Sequence, residues 1–411
     1  MQRSLSVPLA FAAAVAMWAV GYLGRFPGVG APPALLGIVF LLGYLALGGV
    51  ARVCGSSPGQ AALAGSLVSL INLLVLGSLL AENSGPSLAV AIPGSLIAGG
   101  LLAWLGWKLT PETTVRLQCQ GEAFFAKVAV VATFLLVVAG GLVTSHGAGL
   151  AVPDWPNTFG SNMFFFPLSR MTGGIYYEHA HRLLGSLVGL TTVSLAVYLS
   201  LGKQSSKVKG FAWLLVVFVV VQGILGGLRV TGRFTISQDP ELLSPSTALA
   251  VAHGILGQLF LSGLVAQAVW LSAAWEKERE DQHHLFWPRL LWLLLVIQLV
   301  LGALQRHLSW GLLVHVSLAV VVVAFAAFGG GSLAFSAFAS LRSLGSLLVV
   351  FASLQFLLGF LAFWLRGYPA GPRALSSWEV LLVTGHQAGG ALLLALATVI
   401  TVWTWGRGVH R

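Results

Sequence analysis

Four histidines of this chain lie inside long apolar stretches, where an ionisable side chain is costly and usually functional. They are His181, His253, His315 and His386, and each lies near the start of its stretch. The first two are 72 positions apart and the last two are 71 positions apart. One such histidine alone is more often a hydrogen-bonded packing residue than a ligand. Four at a repeated spacing indicate that the imidazoles bind metal in two pairs.

Two imidazoles on facing helices, with no set of thiolates or carboxylates to complete a tetrahedral site, are typical of bis-histidine haem iron. A structural zinc ion would need four ligands that converge on one point, and each pair supplies only two. The residues therefore predict two haem sites, one for each pair. A small residue follows each histidine after one helical turn, which would let another helix or a flat ligand approach closely: Gly185, Gly257, Ala319 and Gly390.

The two predicted sites are not equivalent, because only the first has a carboxylate beside it. Glu178 precedes His181 by three residues, which places both on one face of a helix. The second pair has apolar residues in that place, Leu312 and Val383. Either Glu178 takes part in chemistry at the first site, or it is solvated or paired with Arg182 at the membrane edge. A site without a carboxylate suggests an electron relay.

A long outer segment, about residues 145–178, precedes the first of these histidines. Prolines bracket Asp154 and Trp155 and stiffen the turn, and an aromatic run follows. The segment fits a lid over an apolar substrate and equally an anchor at the membrane interface. Asp154 and Trp155 are candidate propionate or loop contacts within this segment. Arginines near the outer ends of the apolar stretches could reach haem propionates or contact the loop, although snorkelling to the interface explains each of them as well: Arg182, Arg229 and Arg306.

The composition excludes several classes of protein. Of the 411 residues, 57% are hydrophobic and 8% are charged, and the mean hydropathy is +0.89. A soluble domain carries about 25% charged residues, so the chain is neither a soluble domain nor disordered. The net charge of +10 is scattered without a basic block, which argues against nucleic-acid binding. Cys54 and Cys119 lie in no metal or redox motif, so neither a disulfide framework nor a zinc site is indicated.

Twelve stretches are apolar and long enough to cross a membrane as helices. Fourteen of the 22 basic residues fall on one side of the resulting topology. The positive-inside rule then predicts a multi-pass protein of the cell (inner) membrane with both termini in the cytoplasm. The predicted spans are 8–24, 34–52, 60–81, 88–107, 127–144, 179–201, 211–229, 247–271, 287–305, 311–333, 342–364 and 378–403.

The predicted fold class is all-α integral membrane, with two pseudo-symmetric four-helix bundles preceded by four extra transmembrane helices. A repeated motif supports the two halves, because Gln-x-x-Leu-Gly-x-Leu occurs at 222–228, 298–304 and 355–361. The predicted segments are an N-terminal extension of unknown role at 1–107, a cytoplasmic linker at 108–126, a first half at 127–272, a second linker at 273–286 and a second half at 287–405.

Three segments together resemble the haem A synthase family. They are Gly-Gly-Leu-Val-Thr at 140–144, Gly-Ala-Gly-Leu-Ala-Val-Pro-Asp-Trp-Pro at 147–156, and Glu178-x-x-His181-Arg182. The resemblance covers about residues 127–403. It implies an enzyme that oxidises the C8 methyl group of haem O to the formyl group of haem A by successive hydroxylations, for the maturation of terminal oxidases.

The resemblance also implies roles for single residues. His181 and His253 would be the axial ligands of the substrate haem, His315 and His386 those of a permanent haem b, and Glu178 the catalytic residue. It implies haem O, haem O synthase and terminal oxidase assembly factors as partners, in a lipid membrane and without nucleic acid. The electron donor, the source of the inserted oxygen and a homo-oligomeric state stay open.

The chain departs from the family in its outer loop. The loop lacks the cysteine pair that many bacterial members carry, and His146 stands where no histidine is expected. Residues 1–107 lie outside the resemblance altogether. The main alternative is a non-catalytic di-haem b-type cytochrome in quinone-linked electron transfer. A twelve-helix transporter with an inverted repeat ranks last, because the repeat found here is four helices plus four.

Overall fold

The structure is a computed structural model, and it describes residues 4–82, 88–112, 119–231, 246–278, 286–336, 338–366 and 374–405. This part of the chain is almost entirely helical. Strand β1 (Asn157–Thr158) pairs antiparallel with β2 (Ser161–Asn162), and short 3-10 turns follow at Met163–Phe165 and Leu168–Arg170. The helices are α1 (Ser6–Gly24), α2 (Pro33–Val53), α3 (Pro58–Glu82), α4 (Leu88–Leu109), α5 (Gly121–Ser145), α6 (Gly173–Ser200), α7 (Ser206–Val230), α8 (Thr247–Trp270), α9 (Ala273–Glu278), α10 (Trp287–Leu308), α11 (Leu312–Ala334), α12 (Ala339–Arg366) and α13 (Ser377–Thr404).

Within the described ranges, eleven helices are long and apolar enough to cross a membrane. Large apolar side chains point away from the protein interior, as a lipid-facing surface requires, and Leu313 and Phe335 are 82% and 92% exposed. The chain is therefore a multi-pass membrane protein. The sequence predicted twelve spans, and the one at 60–81, which falls on α3 (Pro58–Glu82), stays a prediction.

Helix extends into both of the segments that were predicted as linkers. Helix α4 runs to Leu109 and α5 begins at Gly121, so helix covers both ends of the predicted linker at 108–126. Helix α9 occupies the start of the predicted linker at 273–286. Long Lys and Glu side chains reach the membrane interface from a helix, so a polar residue does not by itself end a membrane helix.

Eight of the helices form two closed rings. Helices α5, α6, α7 and α8 pack each on the next, and α8 packs back on α5. Helices α10, α11, α12 and α13 pack in the same order, and α13 packs back on α10. Consequently α6 lies across the first ring from α8, and α11 lies across the second ring from α13. Side chains on these diagonal helices can face each other inside the rings.

The two rings meet along a seam that contains hydrogen bonds as well as apolar contacts. Along it, α13 packs on α5 and α8, and α10 packs on α8. Near one end, Arg306 of α10 donates to Ser145 Oγ of α5 at 2.8 Å. Near the other end, Trp292 Nε1 donates to Thr398 Oγ1 at 3.1 Å, and the Thr398 and Ser262 hydroxyls lie 2.7 Å apart.

The four leading helices form a packed group that is attached to the first ring. Within the group, α4 packs on α2 and α3, and α1 packs on α2 and α3. Helix α1 also packs on α5 and α6, and the rings of Phe11 and Phe125 lie 5.2 Å apart in a shared buried core. The 3-10 turn Met163–Phe165 of the outer loop rests on α3.

The two cysteines, which are far apart in the sequence, lie together beside the leading helices. Cys54 follows the end of α2 and is hydrogen-bonded to Cys119, which precedes α5, and both are free thiols. Burial and then the Cys119 thiol raise the pKa of Cys54 to about 12. A thiol with this pKa is protonated at neutral pH and reacts slowly, so Cys54 does not behave as a reactive thiol.

Candidate functional site

The structure brings the four predicted histidines together in two pairs, one across each ring. The imidazole rings of His181 on α6 and His253 on α8 have centroids 6.4 Å apart and planes at 84°. Those of His315 on α11 and His386 on α13 have centroids 6.3 Å apart and planes at 87°. Metal–imidazole nitrogen bonds are about 2 Å long, so this separation suits one metal atom between two rings. Each pair therefore has the spacing of two ligands on opposite sides of one metal.

A glycine on the preceding helix lies against each of the four imidazoles. A Cβ added at any of these glycines would crowd the ring and force it to move. The nearest ring atom is Cε1 in every case, at 3.0, 3.3, 3.1 and 2.8 Å for the pairs Gly140–His181, Gly226–His253, Gly302–His315 and Gly359–His386. Because these positions lack a side chain, each imidazole can occupy its place inside the group of four helices.

The glutamine of the repeated motif bonds the helix that carries the histidine. Gln298 Nε2 donates to the backbone carbonyl of His315 at 2.9 Å, and Gln355 Nε2 donates to that of His386 at 2.9 Å. Gln355 Nε2 also lies 3.1 Å from Nδ1 of His386. The motif therefore has two parts with separate tasks. Its glutamine fixes the neighbouring helix, and its glycine four residues later leaves space for the imidazole.

The small residues one turn after the histidines differ in how closely a neighbouring helix approaches them. An added Cβ would lie 3.8 Å from Gln222 Oε1 at Gly257 and 3.2 Å from Gln355 Nε2 at Gly390. At Gly185 it would meet no atom within 4 Å. The neighbouring helix therefore approaches at two of these positions, through its motif glutamine, and beside His181 there is room for a flat group.

Glu178 is buried, with 4% of its surface exposed, and lies one turn before His181 on α6. Its Oε1 accepts from Arg182 Nη2 at 2.7 Å, and its Oε2 accepts from the backbone amide of Val152 at 3.2 Å. The ion pair with Arg182 that the sequence allowed is present, and a part for Glu178 in the chemistry stays a prediction. The carboxylate is therefore held in one place beside the first imidazole pair, and it also bonds the outer loop.

Arg182 binds the outer loop through backbone carbonyls. Its Nη2 donates to the carbonyl of Val152 at 2.6 Å, and its Nη1 donates to those of Asp154 at 2.7 Å and Asn157 at 3.1 Å. These bonds fold residues 152–157 over the first turns of α6. The sequence suggested either a propionate contact or a loop contact for Arg182, and its guanidinium makes the loop contacts.

Asp154 closes the tip of the loop. Its carboxylate accepts the backbone amides of Phe159 and Gly160, both at 2.8 Å. The adjacent Trp155 packs on α7 so closely that a Cβ at Gly227 would lie 2.2 Å from the indole ring. Gly227 follows the glycine that lies against His253, so the loop reaches the wall of the first site.

The loop bonds of Asp154 should weaken in acid. Burial by itself would raise the pKa of Asp154, but the amides of Gly160 and Phe159 and the charge of Arg182 lower it below its usual value. The bonds to the Asp154 carboxylate therefore stabilise the loop fully at any pH above the pKa that Asp154 has in the unfolded chain. This stabilisation is lost as the pH falls through the lower pKa that Asp154 has in the folded protein. We expect proteolytic cleavage of residues 152–160 to accelerate over that interval. Asp154→Asn should abolish this dependence; an unchanged pH profile in that variant would contradict the assignment.

Two further histidines near the loop have packing contacts. His179 is fully buried, its Nδ1 lies 3.1 Å from Thr158 Oγ1, and its ring lies 5.0 Å from that of Phe166. It anchors the loop hairpin, a role that the sequence did not predict, because its partner is the single hydroxyl of Thr158 about 20 residues away. His146 is exposed at the end of α5 and stacks on Tyr177, with centroids 4.0 Å apart and planes at 14°.

Arg229 and Arg306 lie in the last turns of α7 and α10, close to the imidazole pairs. Arg229 interacts electrostatically with His181 and His253, and its guanidinium packs on Gly149, where a Cβ would lie 2.3 Å from Nη2. Arg306 interacts in the same way with His386 and also donates to the carbonyl of Gly141 at 3.1 Å. Each pair therefore has a fixed cation nearby.

Together the fold and the site define a multi-pass membrane protein in which two helix rings each hold a facing pair of imidazoles. The sequence model of the COX15-CtaA family, described as cytochrome oxidase assembly protein, matches residues 123–315. The match confirms the resemblance to the haem A synthase family over these residues, which make up a little under half of the chain. The matched part contains Glu178, His181, His253 and His315, whereas His386 and helices α1 to α4 lie outside it. No curated protein matches the chain in sequence.

Proposed function

We propose that the protein is a haem A synthase-like oxidoreductase that oxidises the C8 methyl group of haem O to the formyl group of haem A by successive hydroxylations. The observation that carries this proposal is the buried carboxylate of Glu178, fixed one turn from His181 in the first imidazole pair. The family match adds that this half of the chain is related to proteins of cytochrome oxidase assembly. The product would serve the maturation of terminal oxidases.

The two imidazole pairs are suited to two haems. His181 and His253 would bind the iron of the substrate, haem O, and His315 and His386 would bind a resident haem b. The centroid separations of 6.4 and 6.3 Å and the glycines against each ring support this fit. The second pair has no carboxylate at the position that Glu178 takes in the first, since Val383 and Leu312 stand there. When bound, haem b supplies one-electron redox chemistry to the substrate site.

The residues of the chain position the substrate and control charge around it. Glu178 holds a negative charge where positive charge would develop on the substrate, or accepts a proton there. Arg182 keeps that carboxylate in place and closes the outer loop, so that Trp155 and the loop backbone shield the first site from water. Arg229 and Arg306 would bind the propionates of the two haems, because a fixed guanidinium pairs well with a carboxylate.

The proposed function includes an arrangement in the membrane. We infer twelve spans, two pseudo-symmetric halves at 127–272 and 287–405, and both termini in the cytoplasm of the cell membrane. The two ring-shaped helix groups and their repeated Gly–His contacts support the pseudo-symmetry. Haem O synthase and terminal oxidase assembly factors are the proposed partners, since one would deliver the substrate and the others would receive the product.

The glycine contact at the second site leads to a testable change. Gly359→Ala would place a Cβ 2.8 Å from Cε1 of His386 and move the ring, at a cost of about 1–3 kcal/mol. We expect haem b to be lost about tenfold more readily from this variant during detergent purification. Gly331→Ala on α11 is the matched control, since its Cβ would meet no atom within 4 Å. Equal haem retention in both variants would refute the role of the glycine.

The proposal is tested by the haem types that cells contain. The full chain is produced in cells that make haem O but no haem A, and extracted haems are separated by chromatography with and without the chain. Haem A or its hydroxylated precursor is expected only when the chain is present. The second candidate, a di-haem b-type cytochrome, is favoured by the near-identical geometry of the two pairs. It predicts haem B alone and no new product.

A further inference from the structure

The start of helix α6 has little local support. Helix α6 begins at Gly173–Gly174, and Gly173 has a φ of +53°. Glycine is a poor helix former, and the N-cap residue Thr172 makes no side-chain capping bond in the described structure. Glu178 lies only five residues into this helix. Its position therefore depends on what packs against the first turn.

The first turn of α6 packs against the outer end of α1. The Tyr176 hydroxyl donates to the backbone carbonyl of Tyr22, and the two rings stack with centroids 5.5 Å apart at 29°. Phe26, in the turn after α1, meets Tyr176 edge-on at 6.2 Å and Tyr177 edge-on at 5.5 Å. These two tyrosines directly precede Glu178. Four aromatic rings, two from each side, thus connect the leading helix to the start of α6 just before the carboxylate.

Two further contacts extend the same support. Tyr177 stacks on His146 at the end of α5, so the cluster joins the ends of α1, α5 and α6. Arg25 donates to the carbonyl of Leu168, in the 3-10 turn just before α6. The cluster of Tyr22, Phe26, Tyr176, Tyr177 and His146, here called the outer aromatic cluster, therefore surrounds the entry into α6 from two sides.

We infer that α1 is a positioning element of the substrate half, and that Phe26, through the outer aromatic cluster, holds the first turn of α6 so that Glu178 stands correctly beside His181. The inference rests on the proposed function, since it assigns to the leading helices a part in the oxidation itself. It gives a role to helix α1, which belongs to the N-terminal extension whose role the sequence left unknown. Phe26 is a positioning residue, because it acts through Tyr176 and Tyr177 and does not touch the imidazole pair.

The test compares two matched variants of the full chain, Phe26→Ala and Phe40→Ala. Phe40 of α2 packs against Gly21 of α1 and is not among the rings of the outer aromatic cluster, so its removal loosens the leading helices outside that cluster. We expect Phe26→Ala to lower kcat about tenfold with haem content and KM for haem O unchanged, because positioning of a catalytic group affects mainly the chemical step. Phe40→Ala should change kcat less than about twofold.

A double variant separates positioning from general loosening. In the Glu178→Ala background, Phe26→Ala should lower the remaining turnover no further, because residues that act through one group are not additive. Independent lowering in that background would overturn the inference. Failure of Glu178→Ala to affect turnover would instead overturn the proposed function, so the two failures are distinguishable.

Hydrogen exchange supplies a readout that needs no activity. Amides of residues 173–178 should exchange about tenfold faster in Phe26→Ala and at the original rate in Phe40→Ala, since local opening governs exchange. The milder Tyr176→Phe, which removes only the hydroxyl that bonds α1, should show a smaller increase in the same segment. Unchanged protection of residues 173–178 in Phe26→Ala would refute the support that α1 is inferred to provide.

Discussion

Replacement of His386 by alanine is expected to leave the protein with about one haem per chain instead of two. His386 is one of two imidazoles whose centroids are 6.3 Å apart, and His315 alone would hold the iron by a single bond. The first pair lies in the other helix ring and should keep its haem. Haem content per chain, together with the low-spin absorption spectrum of the purified variant, measures the effect.

The control for this variant is His307→Ala. His307 lies in the last turn of α10, in the same half of the chain, but does not face another imidazole in the described pairs. It should retain both haems. Added free imidazole should restore binding to His386→Ala, because the deleted ring leaves a space of its own shape. A variant that keeps two bis-imidazole haems would show that His386 is no ligand.

Replacement of Glu178 by alanine is expected to lower the rate of haem A formation by about 10²-fold or more while both haems stay bound. Glu178 is not part of either imidazole pair, so binding should persist. Its charge is fixed by Arg182 at 2.7 Å and stands one turn from His181. Haem O or a hydroxylated intermediate should accumulate, which chromatography of extracted haems detects.

Glu178→Gln separates the charge from the loop bond. An amide oxygen can still accept from Arg182 or from the Val152 amide, so the outer loop should stay closed in this variant. If the negative charge of Glu178 is required for the oxidation, Glu178→Gln should form haem A as slowly as Glu178→Ala. Glu122→Ala, at the far end of α5, serves as the control with unchanged turnover. Normal haem A yield in Glu178→Ala would remove Glu178 from the mechanism.

The pairing of the histidines could be predicted from the sequence for a simple physical reason. Consecutive membrane helices alternate in direction, so residues near the same end of every second helix lie at one depth. The spacings from His181 to His253 and from His315 to His386 are nearly equal, as this alternation predicts. The structure brings the same residues together, and their role as haem ligands stays a prediction.

The contacts that position these histidines could not be predicted in the same way. The sequence showed the glycine of the repeated motif. It did not show that this glycine contacts an imidazole, because the imidazole lies on another helix and the spacing within the motif contains no information on contacts between helices. The acceptors of Arg182 are backbone carbonyls of residues 152–157, which every residue type has. Such bonds leave no signature in side-chain types.

The attachment of α1 to the first ring was missed for a different reason. A soluble helix shows its buried side by an apolar stripe, whereas a membrane helix is apolar on all sides. The face of α1 that carries Phe11 toward α5 therefore looks like the face that meets lipid. Only the aromatic residues at its outer end, Tyr22 and Phe26, differ from the rest, and interfacial anchoring explains aromatic residues there equally well.

The seam between the two rings has a consequence for how this chain could be divided. The bonds of Trp292, Ser262 and Thr398 lie in surroundings without water, where a separated hydroxyl or indole would find few substitutes. Two fragments translated independently, one ending after α8 and one beginning before α10, would therefore tend to reassociate in the bilayer. Two such fragments could therefore assemble into the complete protein in the membrane through these contacts, without a covalent bond between them.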